Sequence, residues 1–170
     1  MLQVGALRER LRANADVFAA LVAGVPSEQA RWKPDPAQWS IVEVVNHLAD
    51  EEVEDFRARL DATLHRTGEW PAIDPQGWPA SRRYGERGLG ESLERFLTAR
   101  AASLAWLDGL SAPDWSRAYQ HPSIGPIRAG DLLTSWVAHD HIHIRQINRL
   151  LREWLVASLS DHSPRYAGRW

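Results

Sequence analysis

WSIVEVVNHLADEE, residues 39–52, contains the best-defined helix start in the chain. Ser40 and Glu43 have the spacing of a capping box, in which the serine hydroxyl accepts from the third helical amide and the Glu43 carboxylate returns to the amide of Ser40. Trp39, one residue before the cap, is placed to staple onto Val44. Beyond it, Ile41, Val44, Val45, Leu48, Val53, Phe56, Leu60 and Leu64 mark the buried side of a helix running to about residue 65. The far half of that helix is charge-laced and is expected to face water.

Working outward, the prolines divide the rest of the chain. All ten lie in the zones 26–36, 71–79, 113–126 and at 164, and a proline inside a helix costs about 3 kcal/mol. Long helices are therefore expected in the stretches between these zones. Residues 3–24 carry Leu7, Leu11, Val17, Phe18, Leu21 and Val22 near helical spacing and end at Gly24 before Pro26. Residues 89–110 carry Leu93, Phe96, Leu97, Leu104 and Leu107, with Gly109 near the end. Residues 130–157 carry Leu132, Leu133, Trp136, Ile147, Leu150, Leu151 and Trp154. No alternating β-branched run competes as a strand, so the expected fold is all-α, a four-helix bundle. One domain is expected over 1–157, followed by a patternless tail at 158–170. The connection 67–88, rich in Pro, Gly and Trp, is expected to cover an end of the bundle or to pack on a partner subunit.

Composition narrows the function classes. The 170 residues are 44% apolar and 25% charged, with a formal net charge of −2. That balance lacks the basic field that nucleic acid or an anionic membrane requires. There is no cysteine, which excludes disulfides, thiolate ligands and a cysteine nucleophile. The N-terminus becomes charged before an apolar leader develops, and no stretch approaches a membrane span. A soluble, cytoplasmic protein is the expectation.

Three of the seven histidines crowd into HDHIHIRQI, residues 139–147. At about 100° per residue, His139 and His143 share one helix face, with Cβ atoms about 6 Å apart, so the two can bind one ion. His141 sits about 200° from His139 and points away. Gln146 returns to the ligand face one turn on, as a group that could orient a ligand. Two ligands hold a metal weakly, so a third is needed from His47, His65, His121 or His162. His47 is the best placed, one turn into a well-capped helix amid buried-side residues, while the other three are read as solvent-exposed.

WSIVEVVNHLADEE at 39–52, together with GPIRAGDLLTSWVAHDHIHIRQI at 125–147, resembles the DinB/YfiT-like superfamily of four-helix metalloproteins. The resemblance implies a three-histidine site on His47, His139 and His143, with His141 at the variable position. Arg128 departs from the family pattern, which commonly has a capping threonine there. Three neutral imidazoles suit Zn²⁺ or Ni²⁺ and leave a coordination position open for chemistry. The family includes transferases and isomerases that use low-molecular-weight thiols of the bacillithiol or mycothiol type, and it implies a homodimer. The expected activity is transfer of such a thiol to a small electrophile. The alternatives are a metal-dependent hydrolase and a non-catalytic metal-binding stress-response protein.

Around this centre, Glu51 lies four residues after His47 and is the candidate proton acceptor. Glu52 has a claim from the HLADEE run but a less favourable helical angle. Asp140 is a candidate for orienting a ligand, although an exposed position or a pairing with Arg145 is the plainer expectation. Arg145 is the candidate for holding an anionic substrate group, and Trp136 for walling the site or packing in the core.

Overall fold

The computed structural model describes residues 3–65 and 68–168. Residue 67 of the long connection and residues 169–170 of the tail lie outside them. Four helical rods form the bundle. The first is α1, Val4–Val22, after which the short α2, Ser27–Arg31, leads toward the capped start. The second rod is continuous but changes pitch. It begins as α3, Ile41–Asp50, passes through a π-helical turn at Glu51–Phe56, and resumes as α4, Arg57–His65. The short α5, Trp78–Ser81, precedes the third rod, α6, Leu89–Asp108, and the fourth is α7, Ala129–Ala157.

The wide turn has a register consequence. On a uniform helix Phe56, Leu60 and Leu64 would drift progressively around from the stripe of Leu48. One extra residue in a turn sets back everything beyond it by about 100°. Phe56, Leu60 and Leu64 are accordingly buried with the core, whereas Val53, expected on the buried side, is 43% exposed. Glu51 and Glu52, from the half expected to face water, are buried as well. A sequence pattern read at a constant 3.6 residues per turn does not contain this change.

The capped start forms from the glutamate side. Glu43 accepts the Ser40 amide at 2.7 Å and the Ser40 hydroxyl at 3.0 Å, with Lys33 against its other oxygen at 2.8 Å. Before α7, Arg128 stands at the cap, and Asp131 accepts its backbone amide at 3.0 Å and its guanidinium at 2.9 Å. A carboxylate three residues into the helix thus holds the cap residue from the other side, without the acceptor a threonine would offer to the helix amides.

The expectation of no strand is corrected. Ala118–His121 (β1) and Gly125–Arg128 (β2) pair antiparallel, with Tyr119 opposite Ile127 and His121 opposite Gly125. Gly125 takes φ +78°, the left-handed conformation that closes a short hairpin loop. Strands of four residues carrying Pro126 are too short to show alternation. The lead-in to β1 satisfies amides at the start of α7, with Ala129 bonded to the Arg117 carbonyl at 2.8 Å and Gly130 to that of Trp115 at 3.0 Å.

The connection after α4 lies along α3. Trp78 and Tyr84 are buried, and Tyr84 donates to Asp50. Arg82 lies over the Trp78 ring at 4.2 Å and bonds Asp50 at 2.6 Å and Glu54 at 2.6 and 2.8 Å. Its periodicity was invisible because these anchors are single side chains on α5 and on a 3₁₀ turn at Tyr84–Glu86. Among the described residues, no helix is long and apolar enough to cross a membrane.

Candidate metal centre

His47 is carried on the inner face of α3, and His139 and His143 on one face of α7. The Nε2 atom of His139 lies 3.3 Å from that of His47 and 3.1 Å from that of His143. One ligand atom from each of the three imidazoles falls within 4.8 Å of the others. His47 and His143 are buried and His139 is half-buried.

The tautomers follow from the partners. Nδ1 of His143 meets the Gln146 side-chain oxygen at 2.7 Å, so Nδ1 carries the proton and Nε2 turns its lone pair to the centre. Nδ1 of His47 is buried without a hydrogen-bond partner, and Glu51 Oε1 stands 3.9 Å from it. Burial disfavours protonation of all three rings. It pushes His47 down to about 3, with His143 adding to the effect, and His139 down to about 2, with His143 and His47 adding. Burial also lowers His143, and the Gln146 bond opposes it. Neutral rings with lone pairs in contact repel one another unless a proton or a cation sits among them. The donor set therefore fits a divalent cation of the kind that imidazole binds, and the cluster can coordinate one.

Aromatic rings enclose the cluster. Trp39 lies 4.8 Å from the His47 ring and parallel to that of His143 at 6.4 Å, so the residue expected to staple the helix also covers two imidazoles. Trp78 approaches His47 at 6.4 Å and Phe56 approaches His139 at 5.0 Å. Trp136 is buried, stacks on Phe56 at 5.5 Å, and donates to Glu52 Oε1 at 2.8 Å. It packs one ring behind the centre.

The carboxylates divide. Glu51 is buried beside His47, and its carboxyl is pushed up to about 9, chiefly by burial, with Asp55 adding. Asp140 is corrected. It is fully buried and bonds Asn14 at 3.0 Å and Arg100 through two bonds of 2.8 Å. Arg145 is exposed and takes no part in this pairing. Glu52 is buried and meets Arg100 Nε at 2.8 Å and Nη2 at 2.6 Å. Burial raises its pKa against the pull of Arg100 and Trp136. Gln146 and Arg145 line, with Ile142 and Arg149, a cleft of about 420 Å³, linked to His143 through the Gln146 bond. His65, His141 and His162 are exposed, His121 is half-buried in β1, and none of them joins the cluster.

Sequence reasoning missed Trp39 and Trp78 as walls, and Arg100 and Asn14 as partners. A signal existed for the last two. Arg100 stands four residues from both Phe96 and Leu104, and Asn14 lies between Leu11 and Phe18, each a polar residue inside an apolar stripe.

Comparison with known proteins agrees with this architecture. The YfiT protein of Bacillus subtilis, described as a probable metal-dependent hydrolase with an unusual four-helix bundle topology, superposes with a TM-score of 0.77 at 22% identity, over 89% of this chain and 87% of that one. At that identity the likeness is one of fold. No curated protein matches by sequence. The model of the DinB superfamily matches residues 10–147, which take in part or all of each of the four rods and include the three histidines. The chain belongs to the DinB superfamily.

Proposed function

We propose that the protein is a metal-dependent hydrolase whose ion is held by His47, His139 and His143. The observation that carries this reading is the convergence of three neutral Nε2 atoms, two on buried rings and one on a half-buried ring. Zn²⁺ or Ni²⁺ suits three imidazoles, and such an ion supplies Lewis-acid polarisation and activation of a nucleophile. Glu51 is the proton carrier. It holds its proton in the metal-free chain and releases it more readily beside a cation, which brings its carboxyl toward the range where a side chain both takes and returns protons. Gln146 keeps His143 in the ligating tautomer. Trp39, Trp78 and Phe56 limit the water that reaches the centre. The hydrolase description of the B. subtilis protein of the same fold supports this choice.

A second reading is the transfer of a low-molecular-weight thiol to a small electrophile. The cleft lined by Ile142, Arg145, Gln146 and Arg149 favours it, because its two arginines could take an anionic cosubstrate and its Gln146 bonds His143. The chain contributes no thiol of its own. A homodimer and a cytoplasmic location are proposed with either activity, and Ile142 and Val156, both exposed on one side of α7, are apolar surface for the former.

Elemental analysis of tag-free protein tests the centre: one equivalent of metal in the wild type, absent from His47→Ala and His143→Ala. Metal-loaded protein with a chlorinated aromatic electrophile, with and without low-molecular-weight thiols, then separates the activities. Turnover indifferent to thiol supports the hydrolase, and conjugate formed only with thiol supports the transferase. A wild type that purifies and reconstitutes without metal overturns both.

A further inference from the structure

One helix of the bundle supplies no ligand yet reaches both helices that do. Arg100 projects from the middle of α6 and is 1% exposed. Its guanidinium has five N–H donors, and each has an acceptor. Nε and Nη2 meet Glu52 Oε1 at 2.8 and 2.6 Å. Nη1 and Nη2 grip the two oxygens of Asp140 at 2.8 Å each, and Nη1 also bonds the Leu11 carbonyl at 2.7 Å. With every donor spent inside the protein, Arg100 has none left for a substrate.

The two carboxylates are placed tellingly. Glu52 follows His47 by five residues and stands in the wide turn, while Asp140 directly follows His139. Without a cation between them, these buried acids would repel and move the ligand-bearing helices apart. A second line of contact runs alongside. Trp136 bonds the same Glu52 oxygen at 2.8 Å and stacks on Phe56, whose ring meets His139 at 5.0 Å.

We propose that Arg100 is the positioning residue of the metal centre: by clamping Glu52 to Asp140 it fixes the spacing of His47 from His139 and His143, and thereby the affinity and coordination geometry of the bound ion. The proposal rests on the metal reading above. The planar fork is essential to it, since a lysine ammonium carries the charge but cannot bridge two carboxylates and a carbonyl in one plane.

The test is Co²⁺ titration of wild type, Arg100→Lys, the neutralised triple variant Arg100→Met/Glu52→Gln/Asp140→Asn, and Leu104→Ala as an apolar control in the neighbouring core cluster. Each is followed by its visible absorption, with folding checked by circular dichroism. Folded Arg100→Lys and triple variants should bind Co²⁺ about 10- to 100-fold more weakly and show shifted absorption bands. Leu104→Ala should lose stability and keep both affinity and spectrum. Folded Arg100 variants with wild-type affinity and bands overturn the proposal and leave the metal reading intact. Failure of both Arg100 variants to fold assigns the residue to stability alone and also overturns it. A wild type that binds no Co²⁺ removes the metal reading, and the proposal with it.

Discussion

The bundle holds two kinds of interior. Toward one end Leu11, Leu60, Leu104, Leu107, Leu132 and Leu133 pack together, and toward the other Phe18, Val44, Val45, Leu48, Phe96 and Ile147 do the same. Between these clusters each rod offers a polar side chain, Asn14, Glu52, Arg100 and Asp140, joined by hydrogen bonds. The histidines sit beside this polar layer. Apolar burial is non-directional and tolerates exchange of similar volumes. The polar layer tolerates much less, because each buried donor or acceptor left unpaired carries its full desolvation penalty. The difference shows where precision is held in this molecule: the apolar ends hold the rods together, and the polar middle sets their register at the level of the metal ligands.

Breaking the two interiors separately sharpens the contrast. The largest effect is expected at the centre itself, where His139→Ala should abolish stoichiometric metal uptake, measured by elemental analysis, while the circular dichroism of the metal-free chain stays helical. Next is Arg100→Met alone, which strands two buried carboxylates and should lower the unfolding free energy in urea by about 3–5 kcal/mol. Leu133→Ala, in an apolar cluster, should cost about 2–5 kcal/mol in the same titration, the amount depending on how far the site collapses. A Leu133→Ala protein that lost its metal would abolish the distinction between the two interiors.

The smallest effect is a slope. Glu51 sits at about 9 in the folded chain against an ordinary 4.5, so between those values the folded state keeps a proton that the unfolded state has lost, and metal-free stability falls as pH rises. His47 and His139 sit at about 3 and about 2 against 6.5, so below 6.5 the unfolded state takes up protons that the folded state refuses, and stability falls as pH drops. Metal-free stability should therefore peak near pH 6.5. On the alkaline side Glu51→Gln should flatten a decline of up to about 1.4 kcal/mol per pH unit, measured by urea midpoints from pH 6.5 to 9. An unchanged decline would place the responsible proton elsewhere.

The apolar interior was legible in the sequence because it repeats. The rods follow from proline-free stretches and periodic leucines, and the start at Ser40 follows from its cap. His139 and His143 were legible as a pair because four residues span one helical turn. The polar layer resisted reading for the same reason that it is specific. Its members are one residue per helix, separated by as many as 126 positions in the case of Asn14 and Asp140, and no local pattern joins them. Asp140 looked like a surface charge because its partner Arg100 lies on another helix, forty residues away. The aromatic walls were hidden similarly, Trp78 arriving from a segment without periodicity. The hairpin was too short to announce itself.

The wide turn at Glu51–Phe56 has one more implication, for how the chain tolerates changes in length. Removing a single residue within it would restore an ordinary helix and rotate the two flanking segments against each other by about 100°. Either His47 would swing off the inner face, or Leu60 and Leu64 would. A one-codon deletion here is thus far costlier than the same deletion in the exposed loop around Ile124, and an alignment gap at this point would separate chains that share the histidines from chains that share their placement.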